Sequence, residues 1–506
     1  MTAVQHRPTT RRCVSCSTTG QATQLPSSVI FLAVAVALLL VAFAGGYGYH
    51  RDELYFLVAG SHLAWAYPDQ GVVTPAIAHA MDLLAPGSLT VLRIPPAVMS
   101  GLTVLVTGLT ARELGASRRG QLIAASCIAV AAVTLFVGHL LSTTTLDLLA
   151  WATFTWLIAR IIRTGEQRLW LAAGALAGVA LMNKPLIAFL IAGVAVGVVA
   201  AGPRTLLRSR WPWAGLMLAL AIWSPWLIWQ AEHGWPQLEV SSSIASGSSG
   251  SSQPRWALIP FQFLLVSPVL APVWIAGLLG LLRAPRLRPY RLFSVAWLFL
   301  LVVFLATGGK PYYLAGMFPV LLAPGAIETD AWLTRGPRRR ETLLWGMVAL
   351  SGAVSILLAL PVLPARDAAI ANSANSDVGE TIGWPELARG VARAYRPAPP
   401  HAVIFTANYG EAGAIDRYGP ALGLPHAYSG HNGFAYWGPP TTAPGPVVTV
   451  GLHAGHGLRQ FTRCHFMGRI ENAPGIDNDE RHEPIYLCGG VVSSWQLAWP
   501  KLRHLN

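Results

Sequence analysis

The chain has 506 residues, of which 53% are hydrophobic, and its mean hydropathy is +0.47. This composition predicts a polytopic membrane protein rather than a soluble one. The formal net charge of +13 does not indicate a nucleic-acid partner, because the basic residues form short clusters between apolar segments, as topology signals do.

The N-terminal stretch 1–27 is polar and is predicted to be a disordered cytoplasmic tail, because the apolar run after it is too long for the core of a cleavable signal. Residues 28–361 form the predicted transmembrane module. A bilayer of ~30 Å requires about 20 apolar residues per span, which predicts about eleven transmembrane helices. The candidate segments are 28–46, 89–110, 120–138, 146–163, 168–182, 185–201, 213–231, 256–282, 292–307, 311–327 and 342–361.

Arginine clusters occur in alternate connections between these segments, and the positive-inside rule assigns those connections to the cytoplasm. The N-terminus is then cytoplasmic, and the loops 47–88 and 232–255 lie outside together with residues 362–506. A multi-pass protein of the plasma (inner) membrane is the expected localisation. The clusters are Arg7, Arg11 and Arg12; Arg112, Arg118 and Arg119; Arg163 and Arg168; Arg204, Arg208 and Arg210; Arg283, Arg286, Arg288 and Arg291; and Arg335, Arg338, Arg339 and Arg340.

The two long outer loops differ in character. The loop 47–88 is too long for a simple connection, and its apolar spacing predicts one helix that begins near Asp52 and another after Thr74. We expect both to be amphipathic helices lying in the membrane interface. The loop 232–255 contains the Gly/Ser-rich stretch Ser241–Ser252, which predicts a flexible segment that acts as a mobile lid.

The composition changes after the last span, and residues 362–506 are predicted to form an extracytoplasmic α/β domain. His401–Thr406 and Val447–Leu452 are typical of buried strands. Cys464 and Cys488 fall in this domain, where an oxidising compartment favours a disulfide. Closing a loop of about 25 residues contributes roughly 3–4 kcal/mol in the chain-entropy model. Two separate buried thiols are the alternative.

Three acids near the outer surface are candidates for chemistry. Asp52 and Glu53 stand among aromatic residues, and partial desolvation there suits a general base with a raised pKa. Alternatively, Asp52 caps a helix and Glu53 occupies its first turn. Asp147 is a candidate to orient an acceptor or to hold a metal together with Asp52, and its alternative role is again helix capping. A divalent metal cofactor is left open.

Two lysines lie on the outer side, against the charge trend of the chain, whose 36 basic residues include only three lysines. Lys184 and Lys310 are candidates to bind a phosphate as compact point charges. Snorkelling of these lysines at a helix end is the alternative. Arg93 is a further candidate cation, and the adjacent Tyr312 and Tyr313 are predicted to contribute to substrate binding.

The stretch Tyr49–Gln70 (YHRDELYFLVAGSHLAWAYPDQ) resembles the first outer loop of the glycosyltransferase family 39 proteins, which have the GT-C fold. These are the protein O-mannosyltransferases and the bacterial aminoarabinose transferases that act on lipid A. The similarity to the bacterial branch extends over most of the chain. Further similar stretches are Ser142–Trp151, Pro260–Gly277, Gly309–Gly325 and His431–Pro439.

The resemblance implies a GT-C membrane glycosyltransferase that moves a hexosyl or pentosyl group, with inversion, from a polyprenyl-phosphate carrier to an external acceptor hydroxyl. It matches Asp52 to the essential acid, Glu53 to its companion and Asp147 to a further acid. Lys184 and Lys310 would then stabilise the leaving phosphate. The sugar and the acceptor, whether protein, lipid or wall polysaccharide, do not carry over. The alternative is a polytopic transporter of a small anionic or lipid-linked substrate, although internal repeats typical of transporters are not evident.

Overall fold

The computed structural model describes residues 23–249, 252–441, 445–455 and 457–505. The predicted tail 1–27 therefore lies almost wholly outside the described residues. The helices of the remaining N-terminal part follow the predicted segments, with additional helices in the outer loops. They are α1 (Ser27–Phe43), α2 (Arg51–Ser61), α3 (Val73–Leu84), α4 (Leu89–Leu92), α5 (Ile94–Glu113), α6 (Arg118–Ala129), α7 (Ala132–His139), α8 (Thr143–Thr164), α9 (Leu169–Leu181), α10 (Ile187–Ala201), α11 (Thr205–Arg208), α12 (Arg210–Glu232), α13 (Pro236–Ser246), α14 (Leu258–Val266), α15 (Ala271–Arg283), α16 (Leu292–Thr307), α17 (Phe318–Thr334) and α18 (Arg339–Ala359).

Helix length and composition identify four described helices that can cross a membrane: α4–α5 together, α8, α12 and α18. Two further helix pairs qualify if each counts as one bent span. The pair α6–α7 bends by 56°, and the pair containing α14 and α15 bends by 85°. The second bend lies at Ser267, which has a φ of 118° and precedes Pro268, and a residue before proline is kept out of the helical region. Membrane helices are thus present, while the number of about eleven spans stays a prediction.

Several of the described arginine-bearing connections contact one another or the same helix end. The Glu113 side chain is fully buried there and pairs with Arg163, while Arg160 lies 3.8 Å from it. Arg286 pairs with Glu328 at 2.6 Å at the same set of connections. The first outer loop and the C-terminal domain belong to the intervening connections. These contacts join connections that the positive-inside rule assigns to one side, and the orientation of the chain in the membrane stays a prediction.

The described residues from 362 onward form an α/β domain, as predicted, which we call the outer domain. Its elements are α19 (Ala369–Ala374), α20 (Trp384–Tyr395), β1 (Val403–Thr406), α21 (Tyr409–Tyr418), β2 (Ala427–Ser429), α22 (Gly433–Trp437), β3 (Val447–Val450), β4 (Phe461–Thr462), β5 (His465–Arg469), β6 (Pro484–Cys488), β7 (Gly490–Val491) and α23 (Trp495–Leu502). Five of these strands form a sheet with the order β2-β1-β3-β6-β5, in which β1 runs parallel to β2 and β3, while β6 runs antiparallel to β3 and β5.

Alternate residues of the central strands face two different cores, as strand geometry requires. Ile404 and Val448 pack with α20, α21 and the first-loop helix α2. Phe405 and Val447 pack on the other side, against Trp495 of α23. The first-loop helix therefore shares a hydrophobic core with the C-terminal domain.

Helix α2 begins where the sequence predicts, but its apolar face lies against protein rather than in the membrane interface. Leu54 and Val58 are 1% and 8% exposed. A Cβ atom on Gly413 of α21 would lie 2.9 Å from the Leu54 Cβ and 3.0 Å from its backbone, so α21 approaches α2 closely. The expectation of an interfacial α2 is therefore corrected, because apolar spacing does not distinguish lipid from a covering domain.

The stretch Ser241–Ser252 is only partly the flexible segment that its composition predicts. Helix α13 extends through Ser246 and ends at Gly247, which adopts a left-handed φ of 79°. Pro236 starts this helix and Val240 is buried, so local capping and packing outweigh the serine-rich composition. The first half of the stretch is thus helical rather than irregular, its action as a mobile lid stays a prediction, and residues 250–251 lie outside the described residues.

The predicted disulfide is present and joins Cys464 to Cys488 across the edge of the sheet. Replacing both cysteines by serine is expected to lower the free energy of unfolding by roughly 3–4 kcal/mol, because the unfolded chain regains the entropy of a loop of about 25 residues. Chemical denaturation under oxidising conditions measures the difference, and reductant should destabilise only the parent protein. Peptide mapping that finds both thiols free would contradict this assignment.

Candidate active site

Asp52 lies in the first turn of α2 but does not cap it. The cap is His50, whose Nδ1 accepts a hydrogen bond from the Asp52 backbone at 3.2 Å. The Asp52 side chain instead accepts a hydrogen bond at Oδ1 from the Tyr409 hydroxyl of the outer domain, at 2.8 Å. Asp52 is half-buried. The alternative of a simple helix cap is therefore excluded for Asp52.

Glu53 and Arg93 form a fully buried ion pair away from the surface. Two Arg93 nitrogens donate to Glu53 at 2.9 and 2.7 Å, and the backbone N–H groups of His50 and Leu141 donate to the same carboxylate. Arg93 also donates to the carbonyl of Gly48 at 2.8 Å. The contacts from Arg93 and Leu141 hold α2 to the helix bundle, and the contact from His50 caps α2 itself. The burial of this pair favours positioning of α2, while the catalytic role of Glu53 and the substrate-binding role of Arg93 stay predictions.

The turn before Lys184 is fixed by the buried side chain of Asn183. Asn183 accepts a hydrogen bond from Thr74 at 2.6 Å and donates to the carbonyl of Thr143 at 2.9 Å. It also donates to Asp147 at 3.4 Å, and the second oxygen of Asp147 is buried without a partner among the described residues. The turn thus places Asp147 where its charge acts on Lys184.

The structure brings the predicted lysines and tyrosines together. The Lys184 ammonium lies 5.8 and 5.4 Å from the ring centroids of Tyr312 and Tyr313, within the range of a cation–π interaction. Gln262 of α14 donates at 2.8 Å to the carbonyl of Pro311, which holds this segment next to the broken helix pair. The charge of Lys310 acts on both Lys184 and Asp52. A cationic region therefore adjoins the candidate base.

The electrostatics of Asp52 differ from the sequence expectation of a raised pKa. Burial by itself raises the pKa of Asp52, but the charges of His50 and Arg51, the Tyr409 hydroxyl and the charge of Lys310 outweigh it. The pKa therefore lies below its ordinary value of 3.8. The expectation is corrected because it counted the aromatic surroundings and omitted the neighbouring cations. Asp52 is ionised at neutral pH.

The two lysines have unequal environments. Burial and the adjacent Lys184 lower the pKa of Lys310 to about 8, against the opposing charge of Asp52. Burial also disfavours the charge of Lys184, but the two tyrosines, Asp147 and Asp52 outweigh it and raise its pKa. Both lysine side chains are therefore protonated at neutral pH, and Lys184 keeps its proton to a higher pH than Lys310 does.

Sequence reasoning left Asp69 without a role, yet it is the second carboxylate of this region. Its oxygens accept hydrogen bonds from Tyr55 at 2.9 Å and from Asn432 at 3.3 Å. Burial raises the pKa of Asp69 to about 6, although the bond from Tyr55 opposes the shift. The sequence signals were the two stretches of resemblance that hold these partners, Tyr49–Gln70 with Asp69 and His431–Pro439 with Asn432. The outer domain therefore contacts two acids of the first loop, Asp52 and Asp69.

The predicted metal ligands Asp52 and Asp147 do not form a metal site. Among the residues that the structure describes, no group of three or more histidine, cysteine, aspartate or glutamate side chains is placed to hold a metal ion. The charge of Lys184 acts on both carboxylates, so a cation of the chain itself compensates them. Two carboxylates beside a lysine are not the donor set of an all-protein metal site, and no step below involves a metal.

Comparisons with known proteins support the resemblance seen in the sequence. Residues 69–229 match the family model described as dolichyl-phosphate-mannose-protein mannosyltransferase. No curated protein matches significantly. ArnT from Cupriavidus metallidurans has a similar structure in two states. With undecaprenyl phosphate bound, ArnT gives a TM-score of 0.59 at 14% sequence identity, and the match covers 91% of this chain and 97% of ArnT. In the apo state, ArnT gives a TM-score of 0.60 at 12% sequence identity, and the match covers 91% of this chain and 98% of ArnT.

Proposed function

We propose that this chain, which has the GT-C fold of membrane glycosyltransferases, transfers a monosaccharide from a polyprenyl-phosphate donor to an acceptor hydroxyl outside the membrane, with inversion. One observation carries the proposal: a half-buried, ionised carboxylate, Asp52, adjoins the paired cations Lys184 and Lys310. Binding of undecaprenyl phosphate by the structurally similar ArnT supports a lipid-phosphate donor.

The cations suit the leaving group of this reaction. When the bond between the anomeric carbon and the phosphate oxygen breaks, its electron pair goes to the phosphate. Preorganised cations stabilise charge that develops in the transition state, so the departing phosphate needs no general acid. Lys184 and Lys310 supply this charge, and the rings of Tyr312 and Tyr313 hold the Lys184 ammonium in place.

The carboxylate suits the incoming group. Asp52 takes the proton of the acceptor hydroxyl while that oxygen attacks the anomeric carbon from the side opposite the phosphate. The low pKa of Asp52 comes partly from Lys310, and a bound phosphate would neutralise that cation. Donor binding therefore makes Asp52 a stronger base. The unpartnered oxygen of Asp147 is available to orient a hydroxyl of the donor or the acceptor.

Incubation of the purified protein with a labelled polyprenyl-phosphate sugar tests the function. We expect release of polyprenyl phosphate only when an acceptor is added, with proteins, lipids and wall polysaccharides supplied in separate reactions. Label should move to one acceptor class. Donor transport into liposomes without cleavage would contradict the proposal and favour the transporter alternative.

Replacing Lys184 by methionine is expected to lower the rate of transfer by about 10²–10³-fold, as loss of one preorganised oxyanion donor does. It should also weaken the binding of undecaprenyl phosphate, measured directly with the purified protein. Lys501→Met is the matched control, because Lys501 is an exposed lysine of the outer domain. Unchanged phosphate binding in Lys184→Met would remove Lys184 from the donor site.

A further inference from the structure

We propose that Tyr409 is a positioning residue for Asp52, so that the outer domain completes the active site and is not an appendage to it. The inference rests on the proposed function of Asp52. Its evidence is a contact between two elements that are far apart in the chain and belong to different parts of the fold. The Tyr409 hydroxyl donates to Asp52 Oδ1 at 2.8 Å across 357 residues of sequence.

The Tyr409 side chain is held in one orientation. Its ring lies 4.8 Å from that of Tyr55 on α2 and 4.7 Å from that of His431 in the outer domain, measured between centroids. At the N-terminus of its own helix, Asn408 and Glu411 form a reciprocal capping box that fixes the first turn of α21. The hydroxyl is therefore directed at Asp52 by packing on both sides.

The close approach of α21 to α2 depends on two glycines. A Cβ atom at position 410 would lie 2.9 Å from the Arg51 Cβ, and one at Gly413 would meet Leu54 at the same distance. Real Cβ atoms essentially never come that close. Any side chain there would push α21 away and break the contact between Tyr409 and Asp52 without removing the hydroxyl.

The hydrogen bond has a specific chemical consequence. It occupies Oδ1, which leaves Oδ2 to take the acceptor proton. It also favours the charged form of Asp52, together with neighbours from several elements. The groups that act electrostatically on Asp52 or are acted on by it are His50 and Arg51 at the start of α2, Asp69 in the first loop, Lys184 and Lys310 in the turns, and Tyr312 and Tyr409.

The test is the pH dependence of Tyr409→Phe, measured on the full-length protein in detergent or liposomes. Without the hydroxyl, the acidic limb of the profile of kcat/KM is expected to move to higher pH by about one unit, as loss of one hydrogen bond to a charged group does. Tyr395→Phe is the matched control, because Tyr395 donates to a backbone carbonyl within the outer domain at 3.0 Å. Its profile should match that of the parent protein.

A second readout does not depend on transfer. The pKa of Asp52 is depressed in the folded protein, so its contribution to stability is present above the unfolded-state pKa of about 3.9 and is lost as pH falls through the folded-state pKa. The melting temperature of Tyr409→Phe should therefore lie below that of the parent at neutral pH, and the difference should shrink below about pH 4. For Tyr395→Phe the difference should not change with pH.

The two readouts separate the possible failures. If the parent protein transfers no sugar, the proposed function fails, and the melting difference still decides whether Tyr409 supports the charge of Asp52. If Tyr409→Phe does not fold, Gly413→Val should shift the acidic limb in the same direction. A pH profile and a pH-dependent melting difference indistinguishable from those of Tyr395→Phe would overturn the inference.

Discussion

The Asp52→Asn variant is expected to fold normally and to lose transfer, with kcat lower by about 10²–10⁴-fold, the usual contribution of a general base. Asparagine keeps the size of the side chain and an acceptor for the Tyr409 hydroxyl, but it takes no proton. Steady-state transfer with the labelled donor measures the loss. Binding of undecaprenyl phosphate should persist, because Lys184 and Lys310 are untouched.

Two other aspartates make this result interpretable. Asp82→Asn is the matched control, since Asp82 is an exposed acid of the same loop whose contact is with the backbone of Gly87, and it should retain full activity. Asp69→Asn tests the nearest competitor, whose pKa of about 6 also suits a base. Full activity in Asp52→Asn, together with none in Asp69→Asn, would transfer the role of base to Asp69.

The Glu53→Gln variant is expected to lose about 3–5 kcal/mol of stability, the usual cost of leaving one member of a buried ion pair uncompensated. Both side chains are fully buried, so water cannot replace the lost charge around Arg93. Thermal and chemical denaturation of the purified protein measure the effect. Transfer should fall in proportion to the folded fraction.

The surface pair between Arg503 and Glu239 is a suitable comparison for this substitution. Its atoms are 3.0 Å apart, but both side chains are exposed to solvent, and such pairs contribute less than about 1 kcal/mol. Glu239→Gln should therefore leave the melting temperature nearly unchanged. A Glu53→Gln protein with unchanged stability and a reduced kcat would restore the catalytic role that the sequence suggested.

Much of the fold follows from local sequence patterns. Apolar segment length determines the membrane helices, because the bilayer leaves few alternatives. The strands around Ile404 and Val448 were predicted for a similar reason, since a buried strand is a short continuous apolar run. Asp52 was found because a carboxylate near a membrane is costly and needs an explanation. Each of these signals is local, because it depends only on residues that are near one another in the chain.

The rest depends on contacts between distant segments. Nothing near Glu53 in the sequence indicates that Arg93, 40 residues later, binds both of its oxygens. The sequence around Asp52 likewise gives no indication of its contact with Tyr409. The direction of the pKa shift of Asp52 was also missed, because it is a sum over cations from several segments. Finally, the spacing of apolar residues along a helix face is the same whether that face packs against lipid or against protein.

The shared core of α2 and the outer domain has a consequence for biogenesis. Asp52 is synthesised among the first residues of the chain, whereas Tyr409 and Gly413 follow after all the membrane helices. Domains generally fold in the order of synthesis, and contacts between distant residues form slowly. The surroundings of Asp52 are therefore complete only after the C-terminal domain has folded onto α2. If the proposed function holds, we expect a newly inserted chain to gain activity only at that late step.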